Sequence, residues 1–159
     1  MSKTLCVYCT RTNTTKKIME TVAVSLDGDL IRITDGVNRA GPLGYVGAAV
    51  TALKRSLPEI LSVNTRMPIT EYDRIILGAP IWAETVCPLA KAFLHRYGPL
   101  INGKVFYVIT HMARNPYDTP ISLLDDILGR PHSAHLSVST KNENLESEIE
   151  SFISQVQIE

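Results

Sequence analysis

The sequence lacks an excess of charge, long apolar runs and an even set of cysteines. Its 16 Lys and Arg are matched by 16 Asp and Glu, so the formal net charge is zero. Nucleic-acid binders usually carry a strong basic excess, and none is present. The same balance argues against an acidic protein that docks on basic partners. The longest apolar runs, such as Val105 to Ile109, fall far short of the ~20 residues that a spanning helix needs. Met1-Ser2-Lys3-Thr4 leads directly into strand-like sequence with no signal-peptide segment. A cytoplasmic protein with no membrane insertion is therefore expected. Three cysteines, an odd number, suit a reducing compartment better than a disulfide framework. Cys6 and Cys9 have C-x-x-C spacing, but Cys6 falls in a strand, where residues three apart face opposite sides. Neither a redox pair nor half a zinc site is expected there. His95, His111, His132 and His135 have no E-x-x-H or H-x-x-x-H companions.

What is present is ordinary for a globular domain: 45% hydrophobic and 20% charged residues, which excludes disorder, collagen and coiled coil. At 159 residues the chain reads as one domain over 1–159. Such a chain buries ~68–70% of its unfolded surface and needs no disulfide staples.

Short apolar strand runs alternate with helical spacing. Thr4 to Tyr8, Leu30 to Ile33, Arg74 to Gly78, Val105 to Thr110 and His135 to Ser139 read as strands. Between and after them, five stripes read as helices. Ile18, Met19, Val22, Ala23 and Leu26 form the first, and Val46, Ala49, Val50, Leu53 and Leu57, halted at Pro58, the second. Leu89, Ala92, Phe93 and Tyr97 form the third, and Ile121, Leu124 and Leu128, opened by Pro120, the fourth. Leu145, Ile149, Phe152, Ile153 and Val156 form the last. Residues 34–44 hold Gly36, Gly41, Pro42 and Gly44 and read as a loop. Five strands alternating with five helices imply a parallel sheet with helices on both faces. Ligands of such sheets bind beyond the carboxyl ends of the strands, so loops 9–15, 79–88 and 111–119 carry the functional interest.

The first of these loops, Cys9-Thr10-Arg11-Thr12-Asn13-Thr14-Thr15, precedes a helix and is rich in hydroxyl donors. Helix N-terminal N–H groups, hydroxyls and an arginine together suit a phosphate. Helix capping is the alternative, but it needs only one such residue. The patterns G-x-x-x-x-G-K-[ST] and G-x-G-x-x-G are absent. A low-molecular-weight tyrosine phosphatase would need Arg six positions after Cys9, where Thr15 stands, and a response regulator would need an acidic pair here.

Thr10-Arg11-Thr12-Asn13-Thr14-Thr15 instead resembles the phosphate loop [ST]-x-T-G-x-T of the flavodoxin family, with Asn13 in place of the glycine. Asn tolerates left-handed backbone better than most residues, so the loop shape can survive. Gly78-Ala79-Pro80-Ile81-Trp82-Ala83-Glu84-Thr85 is similar to the family's G-x-P-x-[WY] segment along the isoalloxazine ring. Trp82 is the only tryptophan, and its other reading is a core or interface aromatic. Cys87 in the same loop reads as a small apolar residue.

The resemblance covers nearly the whole chain. It implies an α/β, flavodoxin-like three-layer sandwich with a five-stranded parallel sheet of order 2-1-3-4-5. It implies FMN as cofactor, with Thr10, Arg11, Thr12, Asn13, Thr14 and Thr15 on the phosphate and Ala79, Pro80, Ile81, Trp82, Ala83, Glu84 and Thr85 along the ring. The loop after strand four would add Asn115, Tyr117 or a backbone N–H, and His111 is read either as a donor to the flavin edge or as a surface histidine. Arg39 to Tyr45 is either a lid over the site or a connecting loop.

The implied function is electron transfer with a redox partner protein or a small-molecule donor or acceptor, the flavin doing the chemistry and no side chain acting as catalyst. One alternative is an FMN-dependent NAD(P)H- or quinone-type reductase. The other is an interaction module without cofactor, for which Asn13 is the motive.

Zero net charge also hides a gradient. Residues 1–58 carry +4, residues 59–118 carry +1 and residues 119–159 carry −5. The family's carriers are typically strongly acidic throughout, and this chain is not. Arg11, Arg39 and Arg114 are expected to cluster at the site and to make it positive.

Overall fold

A computed structural model describes residues 1–53, 57–113 and 118–159. In chain order they form β1 (Thr4–Tyr8), α1 (Thr14–Ser25), β2 (Asp29–Arg32), α2 (Gly41–Leu53), β3 (Arg74–Trp82) and β4 (Thr85–Val86). These are followed by α3 (Pro88–Tyr97), β5 (Lys104–His111), α4 (Asp118–Leu128), β6 (Ala134–Ser139) and α5 (Leu145–Ile158). Strands covered on both faces need apolar side chains at successive positions. β1 accordingly is buried at all five positions, and β5 at all but its first.

The sheet order is β2-β1-β3-β5-β6, with all four pairings parallel. This is the expected five-stranded order. The two-residue β4 is an addition, paired antiparallel to β3 through Ile81–Val86 and Trp82–Thr85. Alternate side chains of each strand enter different cores. Leu5, Val7, Ile75 and Leu77 join Ala48 of α2, Phe93 of α3 and Leu124 of α4 on one face. Cys6, Ile76, Phe106 and Val108 join Met19 of α1 and Phe152 of α5 on the other. The result is a three-layer sandwich.

Gly78 sets how closely α1 approaches the sheet. A Cβ there would lie 2.5 Å from Cγ and Sδ of Met19. The bare backbone lets α1 sit down on β3, which brings the α1 N-terminus to the carboxyl edge of the sheet.

Two of the boundaries that differ from the sequence reading shape the site. β3 does not stop at Gly78 but continues to Trp82, because β5 pairs with Ala79 and Pro80 and β4 with Ile81 and Trp82. The Cys9 N–H donates to the Gly78 carbonyl at 3.1 Å and the Cys87 N–H to the Pro80 carbonyl at 2.9 Å. Carbonyls two residues apart point the same way, so the hairpin takes up the edge of β3 that β1 leaves. Residues 79–85 are therefore strand and hairpin, not open loop.

The second difference is α2, which begins at Gly41, within the expected loop. Gly41 has φ +76 and leads in, and the fixed φ of Pro42 suits a first helical turn. A Cβ on Gly44 would come within 2.0 Å of the Arg39 backbone, so only glycine lets that turn rest on the Arg39 peptide. The turn-forming residues thus start a helix, and Gly41 to Tyr45 is its first turn rather than a free lid.

Candidate functional site

The loop after β1 and the start of α1 form one end of a cleft at the carboxyl edge of the sheet. Asn13 takes the left-handed conformation, φ 64 and ψ 4, that its place in the loop requires. Its side chain makes no capping bond to α1. The first N–H groups of a helix have no partner within it, and the first turn of α1 carries no acidic residue. Thr10 is buried, Thr12 and Thr14 stand 3.5 Å apart at their hydroxyls, and Arg11 lies over the Tyr45 ring at 5.3 Å. Thr15 is buried, and its hydroxyl meets that of Thr110 at 2.8 Å. That bond ties the start of α1 to the end of β5.

The other end is the β3–β4 hairpin. Trp82 closes β3 with only 7% of its surface exposed. The two residues of the turn, Ala83 with φ 46 and Glu84 with φ 64, are both left-handed without being glycine. A two-residue turn of this hand suits the twist of a hairpin, but Ala and Glu adopt it at a cost of about 1–2 kcal/mol each. The guanidinium of Arg39 lies over the Trp82 ring, 5.6 Å from its centroid. Arg39 is itself buried and holds Asp35 through two hydrogen bonds of 2.8 and 2.7 Å. The Arg39 bonds, with the Val37 N–H, hold the Asp35 carboxyl below the usual carboxylate range against the opposing effect of burial.

Between these ends lies a cleft of about 570 Å³. Of the residues expected in the site, Thr10, Arg11, Thr12, Thr14, Thr15, Pro80, Ile81, Trp82, Ala83, Glu84 and His111 line it. Asn13 shapes the loop without lining the cleft. Ala79 is wholly buried in the core, and the Thr85 hydroxyl accepts a hydrogen bond from Lys91 Nζ at 2.8 Å. Asn115, Tyr117 and Arg114 lie outside the described residues.

His111 is not a surface histidine. It is buried, with Nδ1 donating to the Ala113 carbonyl at 2.8 Å and Nε2 3.1 Å from the Ser137 hydroxyl. Both ring nitrogens are thus engaged within the protein, and the ring holds the turn after β5.

Further lining comes from Tyr45, Ala48 and Ala49 on α2, and from Thr110, Met112, Ala113 and Thr140. Thr110 and Thr140 lie at the carboxyl ends of β5 and β6, where the rule for parallel sheets could have flagged them. Ala48 and Ala49 carried no chemical signal.

Of the arginines expected to cluster, Arg11 lines the cleft, Arg39 does not, and Arg114 lies outside the described residues. Arg39 is paired with Asp35 and lies over the Trp82 ring, outside the lining of the cleft. The thiols nearby are core residues: Cys9 and Cys87 are fully buried, and burial, with a hydrogen bond to Cys87, pushes the Cys9 thiol up. Burial likewise pushes Cys6 up to about 12. No group of metal-ligating side chains occurs among the described residues, and no helix there is long and apolar enough to cross a membrane.

No family model and no curated protein matches the sequence. Solved structures do. A Bacteroides eggerthii protein assigned as a flavoprotein matches over all of both chains, with a TM-score of 0.79 at 17% identity. A Lactobacillus acidophilus flavoprotein in complex with FMN matches 92% of this chain and 98% of its own, with a TM-score of 0.68 at 20% identity. Fusobacterium nucleatum flavodoxin bound to flavin mononucleotide matches 99% of this chain and 98% of its own, with a TM-score of 0.61 at 13% identity. The chain has the flavodoxin-like fold.

Proposed function

We propose that this chain binds FMN in the cleft and transfers electrons through it. The observation that carries the reading is the pairing, across one cleft, of a hydroxyl-lined helix N-terminus with a buried tryptophan at a strand end. The first suits a phosphate dianion and the second a planar heteroaromatic ring. The left-handed Asn13 supports the fit, because it keeps the loop shape that the family builds with glycine. FMN in the complexes of the L. acidophilus and F. nucleatum proteins is consistent with the same ligand here.

Bound FMN would supply the electron-accepting ring. The protein's own part is to hold and to exclude. Thr10, Thr12, Thr14 and Thr15, with the first N–H groups of α1, grip the phosphate end, and Arg11 adds charge. Trp82 and Pro80 form a flat apolar wall that keeps water off one side of the ring, and Tyr45 stands at the mouth. No side chain in the cleft needs to give or take a proton for single-electron passage. The reading is tested by adding FMN to the purified apo protein and following its melting temperature, which a native-state ligand raises. A rise of several degrees is expected, and an unchanged melt with excess FMN would rule the reading out. NADH or NADPH oxidation with a quinone and no partner protein then separates a reductase from a carrier, for which turnover is near background.

A further inference from the structure

The Asp35–Arg39 pair has no place in a simple ligand cleft. Both side chains are nearly buried, at 9% and 8% exposure, and they are joined by two parallel hydrogen bonds. Asp35 also accepts the Val37 N–H at 3.1 Å, and Arg39 reaches the Thr51 hydroxyl on α2 at 3.4 Å. Its backbone is pinned beneath Gly44, where no Cβ would fit. Every bond therefore fixes where the guanidinium plane lies, and it lies over the Trp82 ring. Arg39 does not line the cleft but a separate shallow groove beside α2, whereas Trp82 does line the cleft. The cation thus approaches the indole from behind.

An apolar pair of the same volume would fill this corner without the desolvation cost of two ions. It could not place a cation on the indole face. A planar guanidinium can do so while keeping its hydrogen bonds to a carboxylate.

We propose that the Asp35–Arg39 pair is a positioning device for Trp82, which fixes the indole as the wall of the cleft and sets the charge that a bound ring meets through it. The proposal rests on the FMN reading for its second half only. The first half concerns apo protein, where Trp82 as the only tryptophan reports on itself.

The test compares Arg39→Met, Arg39→Lys, Asp35→Asn and the paired variant Asp35→Leu/Arg39→Met with wild type. The paired variant leaves no unpaired charge in the interior and keeps the fold measurable. In apo protein, Trp82 emission should shift to the red and become more accessible to a neutral quencher in Arg39→Met and in the paired variant. Arg39→Lys, which keeps the charge without the fork, should recover part of the shift. With FMN added, an indole wall no longer held in place should bind the ring more weakly, read as a higher Kd in flavin-fluorescence titration.

The midpoint potential of bound FMN gives the sign. Arg39→Met removes the cation and should lower it, and Asp35→Asn unmasks the cation and should raise it. Apo emission of the paired variant identical to wild type would overturn the positioning role. Movement of the potential in the same direction in Arg39→Met and Asp35→Asn would overturn the electrostatic one. If wild type bound no FMN, the functional reading and the electrostatic half would fall together, and the apo spectra would still decide the positioning half.

Discussion

The two ends of the cleft are held by different means. At the end proposed to hold the phosphate, short hydroxyl side chains and a helix N-terminus are pinned to the sheet by the Thr15–Thr110 bond and by the close seat of α1 on Gly78. At the end proposed to hold the ring, the wall stands on a hairpin with two left-handed residues, backed by an ion pair and faced by α2. That helix packs through Ala48, while Leu43, Val46, Val50 and Leu53 on its outer side are each more than half exposed. One end is built from the backbone of the core. The other is built from long side chains that hold one another. The comparison teaches that the first end should select by phosphate charge, and the second should grip any flavin ring and yield more readily.

The largest effect is expected from breaking the support of the ring end. Asp35→Ala strands the Arg39 charge in the interior and should cost about 3 kcal/mol of stability, read from denaturant unfolding. The same carboxyl gives this end a pH dependence. Its folded pKa is depressed, so its contribution is complete above the unfolded value of about 4 and is lost as the pH falls below it. Trp82 emission in wild type should therefore change in acid below about pH 4, and Asp35→Asn should lack that step.

Trp82→Ala comes next. Ring stacking of this kind is worth about 1–3 kcal/mol, so FMN and riboflavin should both bind ~10- to 100-fold more weakly by flavin-fluorescence titration. Thr15→Val leaves the Thr110 hydroxyl buried without its partner, at about 1–2 kcal/mol. It should lower the melting temperature and weaken FMN while leaving riboflavin affinity nearly unchanged. Equal losses for the two flavins would erase the distinction between the ends. The smallest effect is a gain: Ala83→Gly relieves a left-handed residue and should stabilise the protein by roughly 0.5–1 kcal/mol, seen as a higher melting temperature.

The sequence was legible where one periodicity or one local pattern decided the structure. The five parallel strands followed from apolar runs, their order from the family resemblance, and the hydroxyl-rich loop ahead of α1 from its own residues. The start of α2 was not legible. Gly41, Pro42 and Gly44 signal a turn locally, and only the approach of Gly44 to the Arg39 backbone shows why they open a helix. The hairpin at Trp82 was hidden for a related reason: Ala83 and Glu84 are not the residues that such a turn favours. His111 looked like a surface residue because the Ser137 hydroxyl that meets its ring comes from a strand 26 positions away. The placing of the Arg39 guanidinium over Trp82 joins residues that no spacing rule links.

The central claim is that this cleft reads a phosphate at one end and a ring at the other. It is tested most directly by titrating apo protein with FMN and with riboflavin while following the emission of Trp82. The account predicts that both flavins quench Trp82 at a single site and that FMN binds at least ~10-fold more tightly, the contribution of charge-assisted hydrogen bonds to the phosphate. Equal affinities for the two flavins, or no quenching by either, would contradict it.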